Sequence, residues 1–220
     1  MFQSKAVINF LTPIVRNIRR MGLLPAKPLI NDRAIEYGFM AQEINLEKGM
    51  KVLDVGFLES PTAFILAGLG AETYALDLRK SPIEYPGMKT IVGDIRKLDF
   101  SDKFFDRIVA ISTIEHLGIP SRYDSYKDLE ADRKALLEMR RALKDDGIII
   151  VTMPFGKSGI DSVQRTYDSK DIEKLTEGFS IKKIEYAKNY GGYWNKATLE
   201  EVEGTVGYHA NVLISLQKIQ

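Results

Sequence analysis

From residue 51 onward, short runs rich in Val, Ile and Leu alternate with segments of helical spacing. This alternation restricts the fold more than any other feature of the chain. KVLDV (51–55) is followed by PTAFILAGLG (61–70), whose spacing predicts a helix stopped by glycine. TYALDL (73–78) and KTIVG (89–93) read as strands, and FDRIVAIST (105–113) as a fourth. RYDSYKDLEADRKALLEMRRALKDDG (122–147) has helical spacing, and GIIIVTMP (147–154) is a fifth strand, apolar throughout. Such strands alternating with helices imply a mostly parallel sheet covered on both faces. DSKDIEKLTEGF (168–179) opens on a helix cap at Asp168 or Ser169. FSIKKIEYAKN and YHANVLISLQKI then alternate with no helix between them, separated by a polar loop containing glycine. They predict an antiparallel pair. The expected fold is α/β, a doubly wound, mostly parallel, seven-stranded sheet ending in an antiparallel hairpin.

A chain of 220 residues builds one sizeable core, and no repeat or low-complexity linker divides it. Residues 49–220 are read as the domain and 1–48 as a helical arm and cap. The arm begins with apolar residues at helical spacing, from Val7 to Ile18, and a basic cluster of Arg16, Arg19 and Arg20. Basic residues after the apolar part argue against a secretory signal. Residues 1–24 therefore read as an amphipathic segment packing on the domain or a partner subunit, or alternatively lying on a membrane surface. A second helix is expected in NDRAIEYGFMAQEINLEKG, ending at Gly49. With no cysteine, the chain has no disulfide, thiolate metal site or cysteine nucleophile, which fits a cytoplasmic protein. Only two histidines are present, and no metal site is expected. A net charge of +1 gives no general attraction to nucleic acid.

The motifs fall in a telling order. Val52-Leu53-Asp54-Val55-Gly56 closes the first strand, and Asp77 ends the second. Asp94 follows the third, in VGDIRKLDF; FDRIVAISTIEHLG forms the fourth; Leu143-Lys144-Asp145-Asp146-Gly147 precedes the fifth. In this order they resemble the class I S-adenosylmethionine-dependent methyltransferases over about residues 50–218, which implies a Rossmann-like sheet and S-adenosylmethionine as cofactor. The resemblance places the cofactor against Asp54, Gly56, Phe57, Leu58, Asp77, Leu78, Asp94, Ile95 and Ser112. Asp77 would accept from the ribose hydroxyls and Asp94 from the adenine amino group, with Ile95 on a ring face and Ser112 near the methionine part. Gly56 frees the backbone to turn beside the ligand. Dinucleotide enzymes carry further glycines where this chain has Leu58 and Ser60. A pyrophosphate imposes that demand, and this cofactor has none. The G-x-x-E-S turn resembles a G-C-G-E-S subgroup.

Methyl transfer chiefly needs alignment, with a base where the acceptor proton is tightly held. His116, just beyond the fourth strand, is the candidate catalytic base; its neighbour Glu115 is expected to point away. Arg165 and Tyr167, in the loop after the fifth strand, are candidates for holding the acceptor, and Tyr190, Tyr193 and Trp194 could stack on one. The acceptor is read as a small molecule or glycan, methylated at oxygen or nitrogen. Nucleic acid ranks lower, because the fourth strand lacks [DN]-P-P-[YF] and carries Ile111-Ser112-Thr113-Ile114. The alternative is a binding or scaffold protein that keeps the fold without turnover. A nicotinamide dehydrogenase is disfavoured by the missing G-x-G-x-x-G.

Overall fold

A computed structural model describes residues 31–121 and 123–219. The amphipathic segment 1–24 lies outside them. Among the described residues, five α-helices and ten strands follow in chain order: α1 (Asp32–Glu43), β1 (Lys51–Val55), α2 (Thr62–Gly68), β2 (Glu72–Asp77), β3 (Met88–Val92) and β4 (Phe105–Ile111). Then come α3 (Ala131–Ala142), β5 (Leu143–Pro154), β6 (Gly159–Ile160), β7 (Arg165–Thr166), α4 (Ser169–Leu175), β8 (Phe179–Tyr190), β9 (Tyr193–Ala197), α5 (Leu199–Val202) and β10 (Ala210–Lys218). The main sheet has eight strands in the order β3-β2-β1-β4-β5-β10-β8-β9, and β6 pairs with β7 separately. Strands β1 to β5 are parallel neighbours; β10 runs antiparallel to β5 and β8.

Alternation along the buried strands separates two cores. Leu53, Ile108, Ala110, Ile149 and Val151 face the helix pair α3 and α4, packing with Leu136, Met139 and Ile172. Val52, Val109, Ile111, Ile148 and Ile150 face the other way, against Phe39 and Met40 of α1 and Leu66 of α2. Both faces are covered, so the central strands are apolar throughout.

Two elements differ from the sequence reading. The sheet has eight strands instead of seven, because NYGGYWNKA forms a hairpin. Gly191 and Gly192 take φ values of 66° and 106°, the left-handed geometry of a tight two-residue turn, and Tyr190 pairs with Tyr193. The second difference is α1, which ends after Glu43 and not at Gly49. Arg107 donates from Nε to the Ile44 carbonyl at 2.6 Å and from a terminal nitrogen to that of Asn45 at 3.0 Å. A buried cation thus takes the carbonyls that a continuing helix would use. Asp168 caps α4 as expected, in a reciprocal box with Asp171.

The chain runs outward through β1, β2 and β3, then returns to place β4 on the other side of β1. At that reversal the carboxyl ends of β1 and β4 diverge and leave a crevice, the place where open sheets of this type take ligands.

Candidate active site

The crevice is a cavity of about 200 Å³ at the carboxyl ends of β1, β2 and β4. Asp77, Leu78 and Arg79 wall one end, with Gly93, Asp94 and Ile95 beside them; Gly56 forms the floor. Ser112, Thr113, His116 and Leu117 follow β4, while Arg33 reaches in from α1. Asp77 and Asp94 therefore converge on one hollow, although 17 positions separate them in the chain.

Each aspartate is held by the arginine two residues on. Asp77 Oδ1 accepts from the backbone N–H and Nε of Arg79, both at 2.9 Å, and Oδ2 from a terminal guanidinium nitrogen at 3.1 Å. Burial opposes ionisation of this carboxyl, but the bonds and charge of Arg79 prevail and hold it below the usual carboxylate range. Asp94 is bound in the same way by Arg96, with Oδ1 accepting from the backbone N–H at 2.9 Å and Nε at 2.8 Å.

Gly56 has φ 80°, and a Cβ there would stand 2.7 Å from Thr113 Cγ2. Glycine is needed because β4 brings Thr113 against the turn, where its hydroxyl donates to the Val55 carbonyl. Phe57, Leu58 and Glu59 form a 3-10 turn in which none of the three has a positive φ. Position 58 thus imposes no demand for glycine. The Leu58 side chain packs beside Phe57, Ala63 and Ala75, away from the cavity lining, while its N–H faces Asp77 Oδ2 at 3.4 Å. Phe57 is likewise core. Asp54 does not line the cavity either: it is buried, its Oδ2 has no hydrogen-bond partner, and burial pushes its carboxyl well up, against the Ala63 N–H bond.

Ser112 lines the cavity in a left-handed backbone conformation, φ 44°, uncommon for a residue with a side chain. Its hydroxyl donates at 2.6 Å to Glu36 of α1, which is fully buried and also accepts from Thr152 at 2.7 Å and Arg33 at 2.9 Å. This node fixes α1 across the ends of β4 and β5. Nothing in the sequence signals Glu36, because Arg33–Glu36 reads as an ordinary solvated helix pair.

His116 sits in a 3-10 turn, its Nδ1 2.9 Å from the Val163 carbonyl. A carbonyl only accepts, so Nδ1 carries the hydrogen and Nε2 is the basic nitrogen of the neutral ring. The ring stacks on Tyr123 at 4.2 Å. Contrary to expectation, Glu115 does not point away: Oε1 lies 3.8 Å from His116 Nε2. Burial pushes its carboxyl up to about 8, aided by Glu36 and opposed by Arg33.

The structure places Arg165 and Tyr167 away from this cavity, on a second hollow lined also by Asp132 and Asp171. Both are buried and internally bonded. Arg165 donates to the carbonyls of Leu117, Asp128 and Leu129, and Tyr167 donates to Asp132 at 2.9 Å. They tie β7 to the loop before α3. The aromatic group also stays outside: Trp194 is buried in the second core, and Tyr190 and Tyr193 are exposed on the hairpin.

With this geometry in place, the comparisons with known proteins agree. A family model described as a methyltransferase domain matches residues 53–151. The matched stretch runs from within β1 to within β5 and spans just under half of the chain. The chain is 31% identical over 131 residues to a sterol 24-C-methyltransferase of Gibberella zeae, a match that covers 53% of the chain but only 31% of that relative. Among solved structures it resembles the 1,6-didemethyltoxoflavin-N1-methyltransferase of Burkholderia thailandensis, described with bound S-adenosylhomocysteine. There the TM-score is 0.61 and the identity 14%, covering 86% of this chain and 80% of the other. It also resembles the cyclase SpnF, TM-score 0.62 at 15% identity, covering 88% and 84%. At such identities the likeness is one of fold, and a cyclase among the neighbours shows that the fold alone does not dictate the reaction.

Proposed function

We propose that this protein is a methyltransferase that moves the methyl group of S-adenosylmethionine to a small-molecule or glycan acceptor, at oxygen or nitrogen. The observation that supports it is the convergence of Asp77, Asp94 and His116 on one cavity at the switch point of the sheet. The residues fit the cofactor: a depressed carboxylate at the tip of β2, a second carboxylate after β3, and an apolar Ile95 between them. When bound, the cofactor supplies an electrophilic methyl group together with its own leaving group.

The protein's part is then alignment, exclusion of water and removal of a proton. Asp77 accepts from ribose hydroxyls and Asp94 from the adenine amino group; Leu78 and Ile95 cover apolar surface. Ser112 and Thr113 border the methionine part. At the far end His116, oriented by Val163 and braced by Tyr123, takes the acceptor's proton on Nε2. The buried Glu115, its carboxyl pushed up to about 8, keeps its own proton at neutral pH. The Burkholderia thailandensis enzyme named above is described with the small molecule 1,6-didemethyltoxoflavin bound, which supports a small acceptor here. Among the described residues no helix is long and apolar enough to cross a membrane. A cytoplasmic enzyme whose amino-terminal segment touches a subunit or lipid surface is consistent with the sequence.

Transfer of labelled methyl from S-adenosylmethionine to a panel of phenols, sugars and amines tests the reading. The expected result is turnover with at least one class, and a loss of about 100-fold in kcat for His116→Asn with S-adenosylhomocysteine affinity retained. Binding without turnover across the panel would favour the scaffold alternative.

A further inference from the structure

We propose that Arg79 is an internal competitor for the ribose subsite, holding on Asp77 the two acceptor positions that the cofactor's hydroxyls require and moving onto Glu59 when the cofactor binds. This rests on the cofactor reading above. An ionised carboxylate offers about four lone-pair sites. Asp77 meets four donors: the Arg79 N–H and Nε on Oδ1, and a terminal nitrogen of Arg79 and the Leu58 N–H on Oδ2. Every site is taken. A ribose diol brings two O–H donors, and neither can bond to Asp77 until a present donor leaves.

The two backbone donors cannot leave without unfolding the turn. The guanidinium can. Its two bonds fall one on each carboxylate oxygen, the same bidentate pattern that a diol would make. The Asp77 side chain is only 6% exposed, but that of Arg79 is 39% exposed. A second partner is already in place, for Glu59 accepts from Arg79 at 2.8 Å and is 44% exposed. The guanidinium can therefore release Asp77 and keep an ionic contact.

Asp94 and Arg96 provide an internal comparison, since Asp77-Leu78-Arg79 and Asp94-Ile95-Arg96 share one D-apolar-R pattern. Arg96 is also clamped by Asp124 at 2.8 Å, and these side chains are 12% and 1% exposed. Asp124 in turn accepts from the Gly118 and Tyr126 N–H groups. Arg96 is a fixed anchor; Arg79 has an exit. Glu59 then has a task. It stands in the turn where the sequence departs from the glycine-rich pattern, and it receives the displaced arginine.

Calorimetric titration of the full chain with S-adenosylhomocysteine tests this. Exposed ion pairs are weak, so removing the competitor should tighten binding by about 3- to 10-fold in Arg79→Ala, and likewise in Arg79→Gln, which keeps most of the side-chain stem. Glu59→Gln removes the resting place and should weaken binding. Raising the salt concentration should tighten wild-type binding and leave Arg79→Ala almost unchanged. Thermal melting establishes that each variant is folded. Equal or weaker binding by both folded Arg79 variants overturns the proposal while leaving the cofactor reading intact, provided the wild type binds. Binding by neither wild type nor variant overturns both. Binding only when Arg79 is removed would be its strongest support.

Discussion

Under the proposed reading, Asp77 and Gly56 shape the cofactor end of the cavity. Asp77→Ala removes the carboxylate aimed into the hollow, and S-adenosylhomocysteine binding should weaken 10-fold or more, on the order of losing charge-assisted hydrogen bonds. Titration calorimetry reads this directly, and unchanged affinity would remove Asp77 from the site. Gly56→Ala acts through the backbone. At φ 80° a side chain is strained, and its Cβ would collide with Thr113 at 2.7 Å. A stability loss of about 1–3 kcal/mol is expected in urea denaturation, with weaker cofactor binding because Thr113 must shift. Gly56, Asp77 and Asp94 were legible as residues because a strand tip leaves few positions for a side chain to reach a ligand. Arg79 was not, because its meaning lies in which oxygen atoms it occupies.

Between elements, Arg165 shows how a polar residue in an apparent loop can be structural. Its guanidinium gathers the carbonyls of Leu117, Asp128 and Leu129 and so fastens the segment before α3 to β7. Arg165→Ala leaves these carbonyls without their donor. It should cost about 2–4 kcal/mol in denaturant unfolding. A surface contact for an acceptor would instead change stability by no more than about 0.5 kcal/mol. The hairpin β8–β9 carries a related lesson. Gly191-Gly192 flanked by tyrosines is a recognised turn signal, and it was open to reading from sequence. The end of α1 was not, because Arg107, which stops it, lies 63 residues further on.

At the scale of the whole molecule, buried acids shape the response to pH. Burial raises the Glu115 carboxyl from 4.5 to about 8. Between these values the folded chain keeps a proton that the unfolded chain has released, so stability falls as pH rises through that window. Asp54, pushed up by burial, acts in the same direction. Glu115→Gln should flatten the decline in unfolding free energy between pH 5 and pH 9, without abolishing it while Asp54 remains. Urea denaturation at several pH values checks this; an unchanged slope would mean that Glu115 ionises normally in the folded protein.

The alternation of apolar strands and helices determined by itself that this chain forms a parallel sheet with a switch point, since burial on both faces demands unbroken apolar runs at that period. The order of short motifs likewise placed Asp77 and Asp94 at strand ends. Tertiary structure alone decided which polar side chains face the cavity. Glu36, Glu115 and Arg79 look like surface charges when read along the chain, and Arg165 looks like a ligand. Their partners come from distant strands and loops, and a charge's role depends on how much water those partners exclude from it.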